Sequence, residues 1–137
     1  MKFLAALCLA ALAVCAPRSP DPNVDQLAAG KRAFQKCYSC HSLEPGGPGL
    51  TGPTLHGVVG RQIAAVPGFE YSQAMRRLAA SEQRWTPELL ERLIADPEAL
   101  APGTSMAFHG IADPDERAAL IAYLESPQTS ASATSLP

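Results

Sequence analysis

The sequence predicts an all-α domain of about four short helices joined by long loops. Apolar residues recur at three- and four-residue spacing in several separate segments. Two segments open with Thr86-Pro87-Glu88 and Asp113-Pro114-Asp115-Glu116. Each offers a capping side chain, a proline at the first helical position and acid in the first turn. No segment sustains the alternation of a half-buried strand. Thirteen prolines and ten glycines keep the elements short.

In chain order, Met1-Lys2 and the unbroken apolar run Phe3–Ala16 come first. The run is shorter than the roughly 20 residues of a spanning helix and matches the core of an export signal. Residues 1–16 are therefore expected to be a signal peptide. Leu12-Ala13-Val14-Cys15 leaves open a lipoprotein signal ending at 14, with lipid on Cys15. Residues 17–23 are proline-rich and read as a linker. The folded domain spans 24–125. Its first helix is expected from Val24 to Cys40, capped by Asn23, with Val24, Leu27, Ala28, Phe34 and Cys37 inward. Gly30 inside it suggests close approach of another backbone. Residues 42–68 are dense in proline and glycine, and a loop this long is usually functional or disordered. Leu50, Leu55, Val58, Val59 and Ile63 are its candidate anchors. A short helix is expected over Tyr71–Ala80, and another from Thr86 to Asp96-Pro97 with Leu89, Leu90, Leu93 and Ile94 buried. Residues 97–110 read as a second long loop. The last helix starts at Asp113, where Glu116 suggests a capping box, and buries Leu120, Ile121 and Leu124. The Ser/Thr/Ala/Pro-rich tail 126–137 is expected to be disordered.

The chain has 137 residues, enough for one domain. Its 11 basic and 13 acidic residues are nearly balanced, which argues against nucleic acid as a partner.

The chemistry concentrates in Cys37-Tyr38-Ser39-Cys40-His41. Two thiols three apart can grip one edge of a ring, and the histidine that follows can turn to its face. C-x-x-C-H reads as covalent attachment of one haem c through Cys37 and Cys40, with His41 on the iron. A structural zinc site would need further ligands, and the remaining cysteines, Cys8 and Cys15, lie in the apolar run. A redox dithiol would accompany a βαβ pattern, which is lacking. The second axial ligand has four candidates: Met106, Met75, His56 and His109. Met106 is favoured because Pro102-Gly103 and Phe108 bound its loop and can preorganise its sulfur. Met75 reads more readily as core filler. Thioether ligation raises the reduction potential, and a closed iron shuttles one electron without acting on a substrate. An open iron would permit peroxidase chemistry.

The motifs in order are Cys37–His41, Gly52-Pro53-Thr54-Leu55-His56-Gly57-Val58-Val59-Gly60-Arg61, Pro67-Gly68-Phe69-Glu70-Tyr71-Ser72, Trp85, Asp96-Pro97, Pro102-Gly103-Thr104-Ser105-Met106-Ala107-Phe108, and Glu116 through Leu124. Together they resemble the class I cytochromes c of the mitochondrial and photosynthetic-bacterial branch, over Leu27 to Leu124. The resemblance implies the class I cytochrome c fold. It implies that the Pro53 carbonyl receives the His41 N–H, and that Arg61, Tyr71 and Trp85 surround the haem propionates. It also places Gly30, Phe34, Leu120 and Tyr123 where the first and last helices cross. The chain departs from the family pattern at Met75, where a small polar residue near the haem is usual. It departs again at Leu93, where many members carry a tyrosine beside the axial sulfur, and at Ser105, which replaces a lysine.

The expected function is one-electron carriage by a monomer, through a His41/Met106-ligated haem c, between respiratory or photosynthetic redox complexes. The expected setting is the periplasm, with membrane association only if Cys15 is lipidated. The alternative is a haem c subunit of a dehydrogenase or oxidase complex, or a peroxidase if Met106 does not ligate.

Overall fold

A computed structural model describes residues 22–45 and 50–126. The expected signal, most of the linker, the tail beyond 126, Cys8 and Cys15 lie outside the described residues, as does the 46–49 stretch. Five α-helices follow in order: α1 (Pro22–Ala33), α2 (Gln73–Ser81), α3 (Pro87–Ala95), α4 (Pro97–Leu100) and α5 (Pro114–Glu125). Among the described residues the only extended pairing is an isolated antiparallel bridge between Gln62 and Arg84, so the all-α expectation holds.

The frame is the crossing of α1 over α5. A Cβ on Gly30 would run into the Ala119 carbonyl oxygen and stand 2.5 Å from Tyr123 Cβ. Only glycine lets the two backbones come this close. Phe34 and Tyr123 meet beside the crossing, ring centroids 6.1 Å apart, and Leu120 is fully buried beneath it. The expected inner face of the first helix needs correction at two positions. Val24 is 63% exposed and Ala28 is exposed. The buried stripe runs instead through Leu27, Gly30, Ala33 and Phe34.

The first helix also ends earlier than expected. After Ala33 the chain tightens into a 3₁₀ turn, Phe34–Lys36. Three-residue backbone bonds follow, from Cys37 N–H to Phe34 O (2.8 Å) and from Cys40 N–H to Cys37 O (3.0 Å). Four-residue bonds alternate with these, from Tyr38 N–H to Phe34 O (3.1 Å) and from His41 N–H to Cys37 O (2.9 Å), so the pentad sits on mixed turns rather than a continuing α-helix.

Capping fixes the other helices. Ser72 Oγ accepts the Met75 N–H at 3.2 Å, so α2 starts two residues later than expected. Thr86 Oγ1 accepts the Leu89 N–H at 3.1 Å, as the sequence predicts. Asp96 ends α3, and its Oδ1 also accepts the Ala99 N–H at 3.0 Å. The Asp-Pro pair read as a terminator thus opens α4 inside the expected loop. At Asp113 the cap forms toward Asp115 N–H (2.9 Å), but the capping box does not. Glu116 instead meets Lys36 Nζ at 2.6 Å, tying the 3₁₀ turn to α5. Arg117 joins α5 to α3 through Glu91 at 2.6 Å and donates to the Ile111 and Ala112 carbonyls.

The core gathers Leu89, Leu90, Leu93 and Ile94 of α3 with Leu120, Ile121 and Leu124 of α5. Val58 and Ile63 anchor the long loop in it, whereas Leu50, expected to do the same, is 40% exposed. Backbone bonds from Trp85 N–H to Arg61 O (2.9 Å) and from Gly60 N–H to Trp85 O (2.7 Å) lash this loop to the approach to α3.

Candidate haem site

The pentad, the start of α2 and the loop after α4 enclose a cavity of about 410 Å³. That volume is in the range of small-molecule and cofactor pockets. Cys37, Cys40, His41, Tyr71 and Met106 all line it.

His41 is fixed from behind. Its Nδ1–H donates to the Pro53 carbonyl at 2.7 Å, which leaves the Nε2 lone pair for a metal and orients the ring. The loop is held against the pentad by Gly52 N–H to Cys40 O (2.8 Å). A Cβ at Gly52 would lie 2.7 Å from His41 Nδ1 and closer still to Cε1. The glycine thus makes room for the imidazole. Burial holds the ring below its ordinary pKa, the Pro53 carbonyl opposes that, and the Arg61 charge adds to it. The neutral form that binds metals is the outcome.

The two thiols differ. Burial pushes Cys37 up to about 11. Hydrogen bonds from Thr51 and Ser39 draw exposed Cys40 below its ordinary value. Both face the same cavity as His41, the arrangement that two thioether bonds and one axial nitrogen require.

Met106 stands on an irregular loop tied by a few hydrogen bonds. Its N–H reaches Thr104 Oγ1 at 3.3 Å, and its carbonyl accepts the Phe108 N–H at 2.9 Å. Glu98 Oε1 on α4 takes the Gly103 N–H at 2.9 Å, and Arg77 of α2 donates to Pro102 O at 3.2 Å.

The remaining expected residues stand behind the lining. Arg61 donates to the carbonyls of Thr54 (2.8 Å) and His56 (2.9 Å). Burial lowers its pKa and neighbouring Tyr71 raises it. Tyr71 OH accepts the Val66 N–H at 3.2 Å, and its ring packs edge-on against Phe69. Trp85 is buried in the core, paired through its backbone with Arg61. Of the three expected around the propionates, Tyr71 lines the cavity directly.

Met75, read both as core filler and as standing near the haem, does both: it packs against the core and lines the cavity together with Ser72. His56 and His109 are absent from the lining, and His56 Nδ1 lies 3.2 Å from the Leu43 carbonyl. Leu93 packs in the core and is likewise absent from the lining. Among the described residues no group of three or more His, Cys, Asp or Glu could hold a metal ion, so the pentad does not build a zinc cluster there.

Comparison with known proteins agrees with this geometry. The family described as Cytochrome c matches residues 27–128. Cytochrome c type-1 of Ascaris suum is 44% identical over 110 residues, covering 80% of this chain and 92% of that protein. Cytochrome c2 of Blastochloris viridis is 39% identical over 98 residues, covering 72% and 75%. Among solved structures, cytochrome cH from Methylobacterium extorquens superposes with a TM-score of 0.64 at 38% identity, covering 72% of this chain and 95% of that one. With thiols, imidazole and cavity placed as covalent haem attachment requires, the chain belongs to the cytochrome c family, as a class I member that carries one haem c on Cys37 and Cys40 and works in electron transport.

Proposed function

We propose that His41 and Met106 are the axial ligands of the haem c, and that the closed site makes this protein a periplasmic carrier rather than an enzyme. The observation that carries the reading is the single cavity holding both thiols, the oriented imidazole and the loop-held thioether. When bound, the haem supplies one iron that takes up and releases a single electron. The protein's own groups set the conditions for that exchange. The Pro53 carbonyl keeps the His41 ring in one tautomer and raises its basicity. The Met106 sulfur, a soft and weak donor, favours the reduced form. Phe69, Phe108 and Met75 make much of the wall apolar and limit water. Tyr71 lines the cavity, and the Arg61 guanidinium lies close enough to Tyr71 for the two groups to interact electrostatically. Both can offset the charge of propionates. Held by both His41 and Met106, the haem iron would offer a substrate no vacancy.

Such a carrier meets an electron donor and an acceptor complex in brief contacts of small area, as a monomer. Intact mass of the purified mature protein should show one haem added through two thioethers. The oxidised form should show the far-red sulfur-to-iron band. Loss of that band in Met106→Ala is not required, for the reason given next, but its absence from the native protein would refute methionine ligation.

A further inference from the structure

The cavity contains more ligating chemistry than one haem uses. Apart from Cys37, Cys40 and His41, the strong donor side chains on its wall are Lys36, Tyr71, Met75 and Met106. Two of these are engaged elsewhere: Lys36 Nζ pairs with Glu116 at 2.6 Å, and the Tyr71 hydroxyl accepts the Val66 N–H. The two thioethers remain. Their anchorage differs. Met106 rides on an irregular loop held by scattered contacts to Glu98, Thr104 and Arg77. Met75 sits in the first turn of α2, where its own N–H is the one that Ser72 caps. Its side chain is half-buried and faces the cavity beside Ser72. Methionine has three rotatable bonds and a polarisable sulfur that adapts to its surroundings.

Given His41/Met106 ligation as proposed above, we propose that Met75 is a reserve axial ligand. When the Met106 loop opens, the Met75 sulfur takes the iron position that Met106 leaves. The iron then stays six-coordinate and closed to small ligands while the loop moves. No bond beyond the iron–sulfur contact is made or broken, and no electron is consumed. A helix-borne sulfur standing by a loop-borne one makes the closed site tolerant of loop opening.

The test uses the haem-loaded protein and four spectra. The native protein should show the sulfur-to-iron band, and Met75→Leu should keep it, since Met106 supplies it. Met106→Ala should retain a shifted band and a low-spin iron. The double variant Met106→Ala/Met75→Leu should lose both. A Met106→Ala protein as high-spin as the double variant overturns the reserve role. A native protein without the band overturns the Met106 reading beneath it, so the two failures are distinct. Should Met106→Ala not accumulate, the more conservative Met106→Leu, alone and combined with Met75→Leu, decides the matter by the same spectra. A low-spin iron in Met106→Leu that is lost in the double variant supports the reserve role. A Met106→Leu protein as high-spin as its double variant overturns the proposal.

Discussion

At the scale of single residues, the site is governed by where a side chain is forbidden. Gly52 lies against the imidazole it must leave free. Gly52→Ala should displace His41 from Pro53, costing about 1–3 kcal/mol as overpacking does. Denaturant unfolding of the haem-loaded variant would register it, together with a change in the histidine-side spectrum. Gly30→Ala should cost at least as much, because its neighbour is the Ala119 backbone rather than a movable ring. The two glycines separate in what they disturb: Gly30→Ala should lower the unfolding midpoint while leaving the haem spectrum in place. By contrast, Lys36→Gln should change stability by less than about 1 kcal/mol, since the pair with Glu116 is partly solvent-exposed. A coincident denaturation curve is the expected result. The pentad was legible in the sequence because covalent attachment demands fixed residue types at fixed spacing. Spacing alone did not place Met75, because a lone methionine three residues into a helix has the same pattern whether it fills a core or faces a cofactor; the family resemblance set it near the haem.

At the scale of elements, the caps decide how the Met106 loop is held. Asp96 closes α3 through its backbone N–H, which donates to Arg92 O, and opens α4 with its carboxylate. Glu98, carried on α4, then holds Gly103. Asp96→Ala should therefore cost about 1 kcal/mol as a lost cap, and it should also loosen Met106. Hydrogen exchange at the Gly103 amide would report the second effect, which a simple loss of helix stability elsewhere would not produce. The caps at Thr86 and Asp113 could be read from sequence because the proline that follows each admits few alternatives. The α4 turn escaped notice because Asp-Pro marks an ending as well as a beginning, and four residues are too few for a periodic pattern. The first helix was overextended for a related reason. Nothing in Phe34-Gln35-Lys36-Cys37 forbids α-helix, and the tightening into a 3₁₀ turn is imposed by tertiary contacts that local sequence does not encode: Phe34 against Tyr123 and Lys36 on Glu116.

At the scale of the whole molecule, charge is dispersed. The chain carries a formal net charge of −2, and among the described residues of the cavity wall the one charged side chain, Lys36, is paired with Glu116. Long-range steering of charged partners should be weak. Electron exchange with hexacyanoferrate(III) and with hexaammineruthenium(II) should each change less than about tenfold between low and physiological ionic strength. Stopped-flow traces across a salt series would show this, and a steep slope of opposite sign for the two reagents would contradict it. The fold class was readable from the helix-start signals and from the absence of alternation. The α1–α5 contact was not readable from composition or spacing, because Gly30 alone does not say which backbone approaches it.

That contact has a bearing on how the molecule comes into being. Gly30 and Ala119 stand near opposite ends of the sequence, so the frame closes only after the last helix has been synthesised. Until then the cysteines just past α1 sit on a chain with no finished interior, within reach of whatever joins haem to them. The crossing is thus a contact of long sequence separation, and the loop it must close makes it slow to form.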